Sequence, residues 1–333
     1  LDSHVRSRVN LPTERLESPR AGGVDLRQAY AFARGVARMH GRRHENAPGH
    51  TLVAVRGASF ATTLLETSDD AFAVVGRHTQ CGIVMMEDPS VALRHVLVRS
   101  LALPAGGLAL RVFDLHTGAG FLLPDGSCRT SILAEGPVAI AIGEYALVAL
   151  PTESRGDELP GELPPPIVAT PPAVREQLEA LASAMSPYRA NARPLNRVSR
   201  ITLMPSLVMV GEPMSPSLGR LANGGAYALT LSRAGRSATV TLSSEDLVRG
   251  VVIGRSEKCH SEDLRRITGE GTSRTHVLLL REGAIVSAYD LASTQGTYHA
   301  GSPARRVVLS DAGTELGLGR AADGVRLFFQ ARY

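Results

Sequence analysis

Three short stations in the last third of the chain carry side chains that could do chemistry together. Arg255 follows the apolar run VVIG, Ser273 and Arg274 open a turn before the run HVLLL, and Ser293-Thr294-Gln295-Gly296-Thr297 follows AIVSAYDL. Each station sits where an extended segment ends, so loops from one end of a β-sandwich can gather a guanidinium, hydroxyls and an amide. The stations hold no carboxylate, and the natural guest of such a donor cluster is a dianion. Arginine offers phosphate a planar fork, while Ser and Thr hydroxyls and loop N–H groups take the other oxygens. Singly, Arg255 reads as a strand-end salt-bridge arginine; it is the combination that points to phosphate.

The elements that must position these residues follow from composition and periodicity. The chain has 333 residues, 44% apolar and 20% charged, with a mean hydropathy of +0.01. Aromatics are only 4%, Trp is absent, and there are 33 Gly and 20 Pro, so burial falls to Val, Leu, Ile and Ala in short strands joined by many turns. From Thr51 onward the runs LVAV, AFAVVG, HVLV, LALRVF, VAIAIG and YALVAL recur between turn residues, as in a sandwich or barrel. A Pro-rich and acidic stretch after Leu150 reads as a linker, followed by a short helix over 173–185 and an unassigned apolar piece near Ile201. A second strand-rich block starts near Tyr227. Before the first block, the spacing predicts a helix over 25–39, with Leu26, Tyr30, Phe32 and Val36 giving it an apolar side.

Laid on each other, the two strand-rich blocks match at an offset of 176 to 181 residues. Val74-Val75-Gly76-Arg77 falls on Val252-Ile253-Gly254-Arg255, His95-Val96-Leu97 on His276-Val277-Leu278, Phe113-Asp114-Leu115 on Tyr289-Asp290-Leu291, and Gly120 on Gly296. A repeat this long means two copies of one domain.

The ordered set GRS, SRTH and DLASTQGTY resembles the signature of the forkhead-associated (FHA) domain over residues 225–333. The resemblance implies a β-sandwich of about a hundred residues whose loops bind phosphothreonine peptides. On that pattern Arg255, with Ser256 beside it, and Ser273 hold the phosphate, Arg274 and Thr294 flank it, and His276 braces the loop from inside, with Gly254 and Gly296 completing the motif. Gln295 stands where the family usually has the Asn that holds the peptide backbone, and Gln is one methylene longer. Residues 50–151 resemble the same family with a damaged site. Arg77 and His95 remain, but Ala92, Gly118 and Ala119 replace Ser273, Thr294 and Gln295. Arg77 is therefore read as structural. His95 and His276, kept in both copies, are read as core histidines rather than bases.

The expected fold class is all-β: two FHA-type sandwiches joined by a Pro-rich linker with a short helix, plus a partly helical N-terminal segment. The expected boundaries are 1–49, 50–151, 152–223 and 224–333. The expected function is a non-catalytic phosphothreonine-peptide adaptor in Ser/Thr kinase signalling, its partner a kinase or a kinase substrate. The competing expectation is a phosphate-independent scaffold subunit of a larger assembly, such as a secretion or envelope machine.

Other classes are disfavoured on the residues. There is no GxxxxGK[ST] loop, HExxH, GxSxG elbow or kinase catalytic loop, so neither an enzyme nor a small-molecule substrate is expected. Cys81, Cys128 and Cys259 lie far apart without CxxC spacing, so no zinc, disulfide or other cofactor is expected. Net charge is +4, carried by arginine except for Lys258, which we attribute to the codon bias of a GC-rich genome. Residues 1–50 hold nine Arg against five Asp or Glu, which leaves the remainder near neutral and disfavours a nucleic-acid surface. Arg34, Arg38, Arg42 and Arg43 are read as a solvated face, and Thr13, Thr152 and Thr170 as threonines in flexible segments within reach of a kinase. The longest apolar stretch is broken by Glu144, and no leader is legible ahead of it. A cytoplasmic location without a membrane span is the expectation.

Overall fold

The computed structural model describes residues 23–40, 48–68, 71–103, 107–152, 159–164, 167–169, 200–203, 226–282, 284–320 and 324–332. Helix α1 (Leu26–His40) precedes the strands of the first block: β1 (Gly49–Arg56), β2 (Ser59–Glu66), β3 (Phe72–Gly76), β4 (Ile83–Val84), β5 (Val96–Ala102) and β6 (Leu108–Asp114). They continue with β7 (Phe121–Leu122), β8 (Cys128–Arg129), β9 (Ser131–Glu135), β10 (Val138–Ile142) and β11 (Tyr145–Pro151). After β12 (Ile167–Ala169) and β13 (Arg200–Leu203), the second block has β14 (Ala226–Arg233), β15 (Arg236–Leu242), α2 (Ser244–Arg249), β16 (Val251–Ile253) and α3 (Glu262–Ile267). It ends with β17 (Val277–Glu282), β18 (Ile285–Asp290), β19 (Thr297–His299), β20 (Ser302–Pro303), β21 (Arg306–Leu309), β22 (Thr314–Leu318) and β23 (Val325–Arg332).

The protein is all-β in architecture, built as two β-sandwiches. In the first, a sheet ordered β2-β1-β11-β10-β7-β8 faces one ordered β12-β13-β9-β6-β5-β3-β4; in the second, β15-β14-β23-β22-β19-β20 faces β16-β17-β18-β21. The strand orders correspond one to one over the shared strands, as the repeat predicts. Each sandwich has its own core, Val75, Val96, Val98, Val112 and Ile140 in the first and Ile253, Val277, Leu279, Leu316 and Phe329 in the second.

A third apolar cluster lies between the sandwiches. Phe72, Val74, Leu97, Phe113 and Leu115 of the first pack on Val252, Leu278, Leu280, Tyr289 and Leu291 of the second. Period-2 alternation explains this: Val96 and Val98 point into the first core while Leu97 points out, and Val277 and Leu279 point in while Leu278 and Leu280 point out. Such strands are buried on both faces and read as unbroken apolar runs. The two blocks are therefore stacked sheet on sheet, which a linker reading alone did not anticipate.

The stretch read as linker is not featureless among its described residues. Strand β13 pairs antiparallel with β9 and β12 runs parallel to β13, extending the first sandwich. The unassigned piece near Ile201 is thus partly strand. Helix α1 is capped by Asp25, whose Oδ1 accepts the N–H groups of Arg27 and Gln28, and its Leu26, Ala29, Tyr30, Ala33 and Val36 are buried against Val53, Ala139 and Val148. Two surface readings are corrected. Arg34 is not merely solvated, since its guanidinium donates to the carbonyls of Gly161 (2.7 Å) and Leu159 (3.2 Å). Thr152 is half-buried at the end of β11, with its N–H and hydroxyl both donating to the Gly49 carbonyl. The predicted helix over 173–185 and residues Arg42, Arg43, Thr13 and Thr170 lie outside the described residues.

His50 bridges the two sheets of the first sandwich, its Nδ1 2.7 Å from Ser100 Oγ, and its Nε2 meets no partner among the described residues. Burial pushes its pKa down to about 3. The folded form therefore keeps the ring neutral while the unfolded chain protonates near 6.5, so this contribution is complete above that pH and shrinks as pH falls toward about 3. We expect His50 alone to cost about 2 kcal/mol of stability between pH 7 and pH 5, at about 1.4 kcal/mol per unit below 6.5. Denaturant unfolding at the two pH values checks this, with His50→Gln flattening the difference.

Candidate functional site

The second sandwich brings its three stations together at one end. Gly254 closes β16, and the turn at 273–274 passes so near that a Cβ on Gly254 would collide with the Ser273 and Arg274 carbonyl oxygens. That approach lets Arg255 N–H donate to Ser273 O (3.2 Å) and Ser256 N–H to Arg274 O (2.9 Å). The Arg255 side chain is aimed by its Nε, which donates to the Thr272 carbonyl at 2.7 Å. Its terminal amino groups make no hydrogen bond or ion pair among the described residues, and the residue is exposed.

Ser273 is 8% exposed and ties the second station to the third. Its Oγ accepts the Thr294 N–H at 2.9 Å and lies 3.5 Å from Thr294 Oγ1. Below them, His276 is fully buried; its Nδ1 accepts the Ser273 N–H (3.1 Å), so the ring is neutral and its Nε2–H donates to Gly296 O (3.1 Å). Burial also holds the His276 pKa below its usual value. Asp290 braces the third station by accepting from Ser293 N–H, Ser293 Oγ and Thr297 Oγ1 at 2.9, 2.6 and 2.7 Å. Gly296 has φ +78°, where a side chain would be strained. Arg274, Thr294 and Gln295 are exposed, and Ser256 is half-buried.

Backbone bonds thus set Arg255 beside Ser273, whose hydroxyl meets Thr294, with Ser256 and Arg274 on the same two turns and Gln295 next to Thr294 in the chain. Each of these side chains can donate to an anion, and no carboxylate of the described residues pairs with Arg255 or Arg274.

The first sandwich has the same frame without the donors. Arg77 Nε donates to Val91 O as Arg255 does to Thr272 O, Ala92 N–H donates to His95 Nδ1, and His95 Nε2 lies 2.8 Å from Gly120 O. Asp114 accepts from Thr117 as Asp290 does from Ser293. Ala92, Leu93, Gly118 and Ala119 stand where the second sandwich has Ser273, Arg274, Thr294 and Gln295, and none of the four has a donor beyond its backbone; His78 stands at Ser256.

Solved FHA domains resemble about a third of this chain. FHA-1 of Mycobacterium tuberculosis Rv1747 is 22% identical, with 32% of this chain and 98% of that one covered and a TM-score of 0.25. The FHA domain of CT664 from Chlamydia trachomatis is 20% identical, covering 32% and 98%, with a TM-score of 0.26. The yeast Dun1 FHA domain, solved with a doubly phosphorylated peptide, is 13% identical, covering 33% and 79%, with a TM-score of 0.28. No protein-family model and no curated protein matches the sequence.

Among the described residues no helix is long and apolar enough to cross a membrane, and no group of three or more His, Cys, Asp or Glu could hold a metal ion. Sequence reasoning missed the Thr272 carbonyl that aims Arg255, because a backbone acceptor has no residue signature. It also missed Gln80 and Arg94 of the first sandwich, whose side chains donate to the carbonyls of residues 291 to 293, at the start of the second sandwich's third station.

Proposed function

We propose that this protein is a non-catalytic adaptor that binds a phosphothreonine segment of a partner protein at these turns of the second sandwich. What supports the reading is that hydrogen bonds join the Arg255 backbone to Ser273 and the Ser273 hydroxyl to Thr294, which sets three donors with no acid among them on neighbouring turns. Arg255 supplies the charge that meets a group of about −2, and the hydroxyls set its orientation. Arg274 extends the positive field beside the phosphate, and Gln295 contacts the peptide backbone. The partner is a Ser/Thr kinase or its substrate, and recognition makes and breaks no bond.

Fluorescence titration of the whole chain with matched phosphorylated and unphosphorylated threonine peptides tests the reading. Only the phosphorylated peptide should bind, and Ser273→Ala should weaken it at least tenfold, the equivalent of about 1.4 kcal/mol, because both the phosphate and Thr294 N–H lose a partner. Equal binding of the two peptides, or partners that persist through phosphatase treatment in a pull-down, would replace the adaptor with a scaffold.

A further inference from the structure

The two sandwiches meet through contacts that repeat across an approximate two-fold relation. Gln80 and Lys258 occupy equivalent positions in the repeat, as do Thr117 and Ser293. Lys258 Nζ donates to Thr117 O at 3.0 Å, and the Gln80 side-chain amide, oriented to satisfy both its ends, donates to Ser293 O at 3.1 Å and Ala292 O at 3.2 Å. Phe72 meets Tyr289 edge to face, and at the equivalent place Phe113 lies over Gly250. Pairing of this kind is expected wherever like surfaces join isologously.

Arg94 breaks the symmetry. Its equivalent in the second copy is Thr275, which has no comparable reach. Arg94 is only 5% exposed, and its Nε and Nη2 donate to the carbonyls of Leu291 and Ala292, the residues just before Ser293 and Thr294. Burial disfavours its charge, and the two carbonyls accept from it. Ala292 itself sits at φ +54° and its repeat equivalent His116 at φ +58°, so the left-handed turn belongs to the frame of both copies, while the Arg94 contact is made to this one alone. Together, Arg94 and Gln80 hold three successive carbonyls, 291 to 293, from the sandwich that lacks donors toward the loop that has them.

We infer that the first sandwich splints the recognition loop of the second, with Arg94 and Gln80 as positioning residues that hold Thr294 and Gln295 in the binding pose before the peptide arrives. The inference rests on the phosphothreonine reading for its consequence, but the splint itself is a property of the free chain. A loop ordered in advance loses less entropy on binding, and one released from its splint opens locally at low cost.

Two measurements on the full chain test this. Hydrogen exchange of the free protein should show residues 291–296 losing protection in Arg94→Met and in the milder, surface Gln80→Ala, while β17 remains protected. Titration with the phosphothreonine peptide should then show a Kd raised about tenfold in Arg94→Met and severalfold in Gln80→Ala, with protection of 291–296 regained at saturation. Unchanged exchange at 291–296 in both variants overturns the splint whether or not any peptide binds. A wild-type Kd in both variants, alongside loss of binding in Arg255→Ala, overturns its role in recognition while leaving the adaptor reading intact. If Arg255→Ala binds as the wild type does, the adaptor reading itself fails, and the exchange result still decides the splint.

Discussion

Arg255→Ala should fold normally and lose phosphothreonine-peptide binding by at least about 100-fold. The terminal nitrogens of the guanidinium can each make a charge-assisted hydrogen bond to phosphate, worth about 1.5–3 kcal/mol apiece, and part of that is screened because the residue is exposed. The structural cost is small, since the side chain contributes one bond to Thr272 O and the backbone contact to Ser273 O survives. Arg255→Lys should fall between, because an ammonium keeps the charge and loses the fork. Arg77→Ala is the control: Arg77 has the same anchoring to a loop carbonyl, but its copy has Ala92 and Gly118 in place of Ser273 and Thr294, so it should change the Kd little. Anisotropy titrations of the three variants against one peptide check the ranking. Equal losses from Arg77→Ala and Arg255→Ala would mean that the two copies share the ligand.

Glu282→Ala should destabilise the folded chain by about 3 kcal/mol, the largest single effect expected at the interface between the sandwiches. Glu282 pairs there with Arg99, which is 3% exposed, and both meet the Tyr289 hydroxyl, at 2.6 Å from Arg99 Nη1 and 3.0 Å from Glu282 Oε2. Removing the acid takes a carboxylate away from a buried guanidinium and a partner away from the Tyr289 hydroxyl. The estimate stays at the lower end of the range for buried pairs because the Glu282 side chain is 20% exposed. The double variant Arg99→Met with Glu282→Leu should recover most of the loss, since two apolar side chains suit the cluster of Phe72, Leu280 and Tyr289 around them. Urea unfolding monitored by circular dichroism measures both, and an additive double variant would show that the pair contributes nothing as a pair.

Much of the fold was legible residue by residue. Runs such as HVLV and VVIG carry strand chemistry locally, and Gly-rich turns punctuate them at positions where the structure turns. The repeat then placed Arg77 against Arg255 and His95 against His276, and both pairs occupy matching sites with matching hydrogen bonds. The candidate site was legible because its donors cluster at strand ends, within about 40 residues of one another. What escaped was of two kinds. Strands β12 and β13 come from a segment whose prolines argue against pairing, and only the open edge of β9 explains their place in the sheet. Thr152 looked like part of a linker because the register of β1 on β11, which ends at that point, is not written in either strand alone.

Pattern along the chain was sufficient for the all-β class, the doubling and the donor set, since the first and last are written in short segments and the doubling in the likeness of such segments to one another. Packing of one sandwich on the other was not readable in that way. Alternation says that Leu97 and Leu278 leave their own cores, yet an outward apolar face is silent about what covers it. Contacts such as Arg94 with Leu291, nearly 200 positions apart, exist only once both sheets have formed and closed on each other. That is why the sandwich without phosphate donors looks expendable as a string of residues and becomes, in three dimensions, the wall against which the other copy's loop is held.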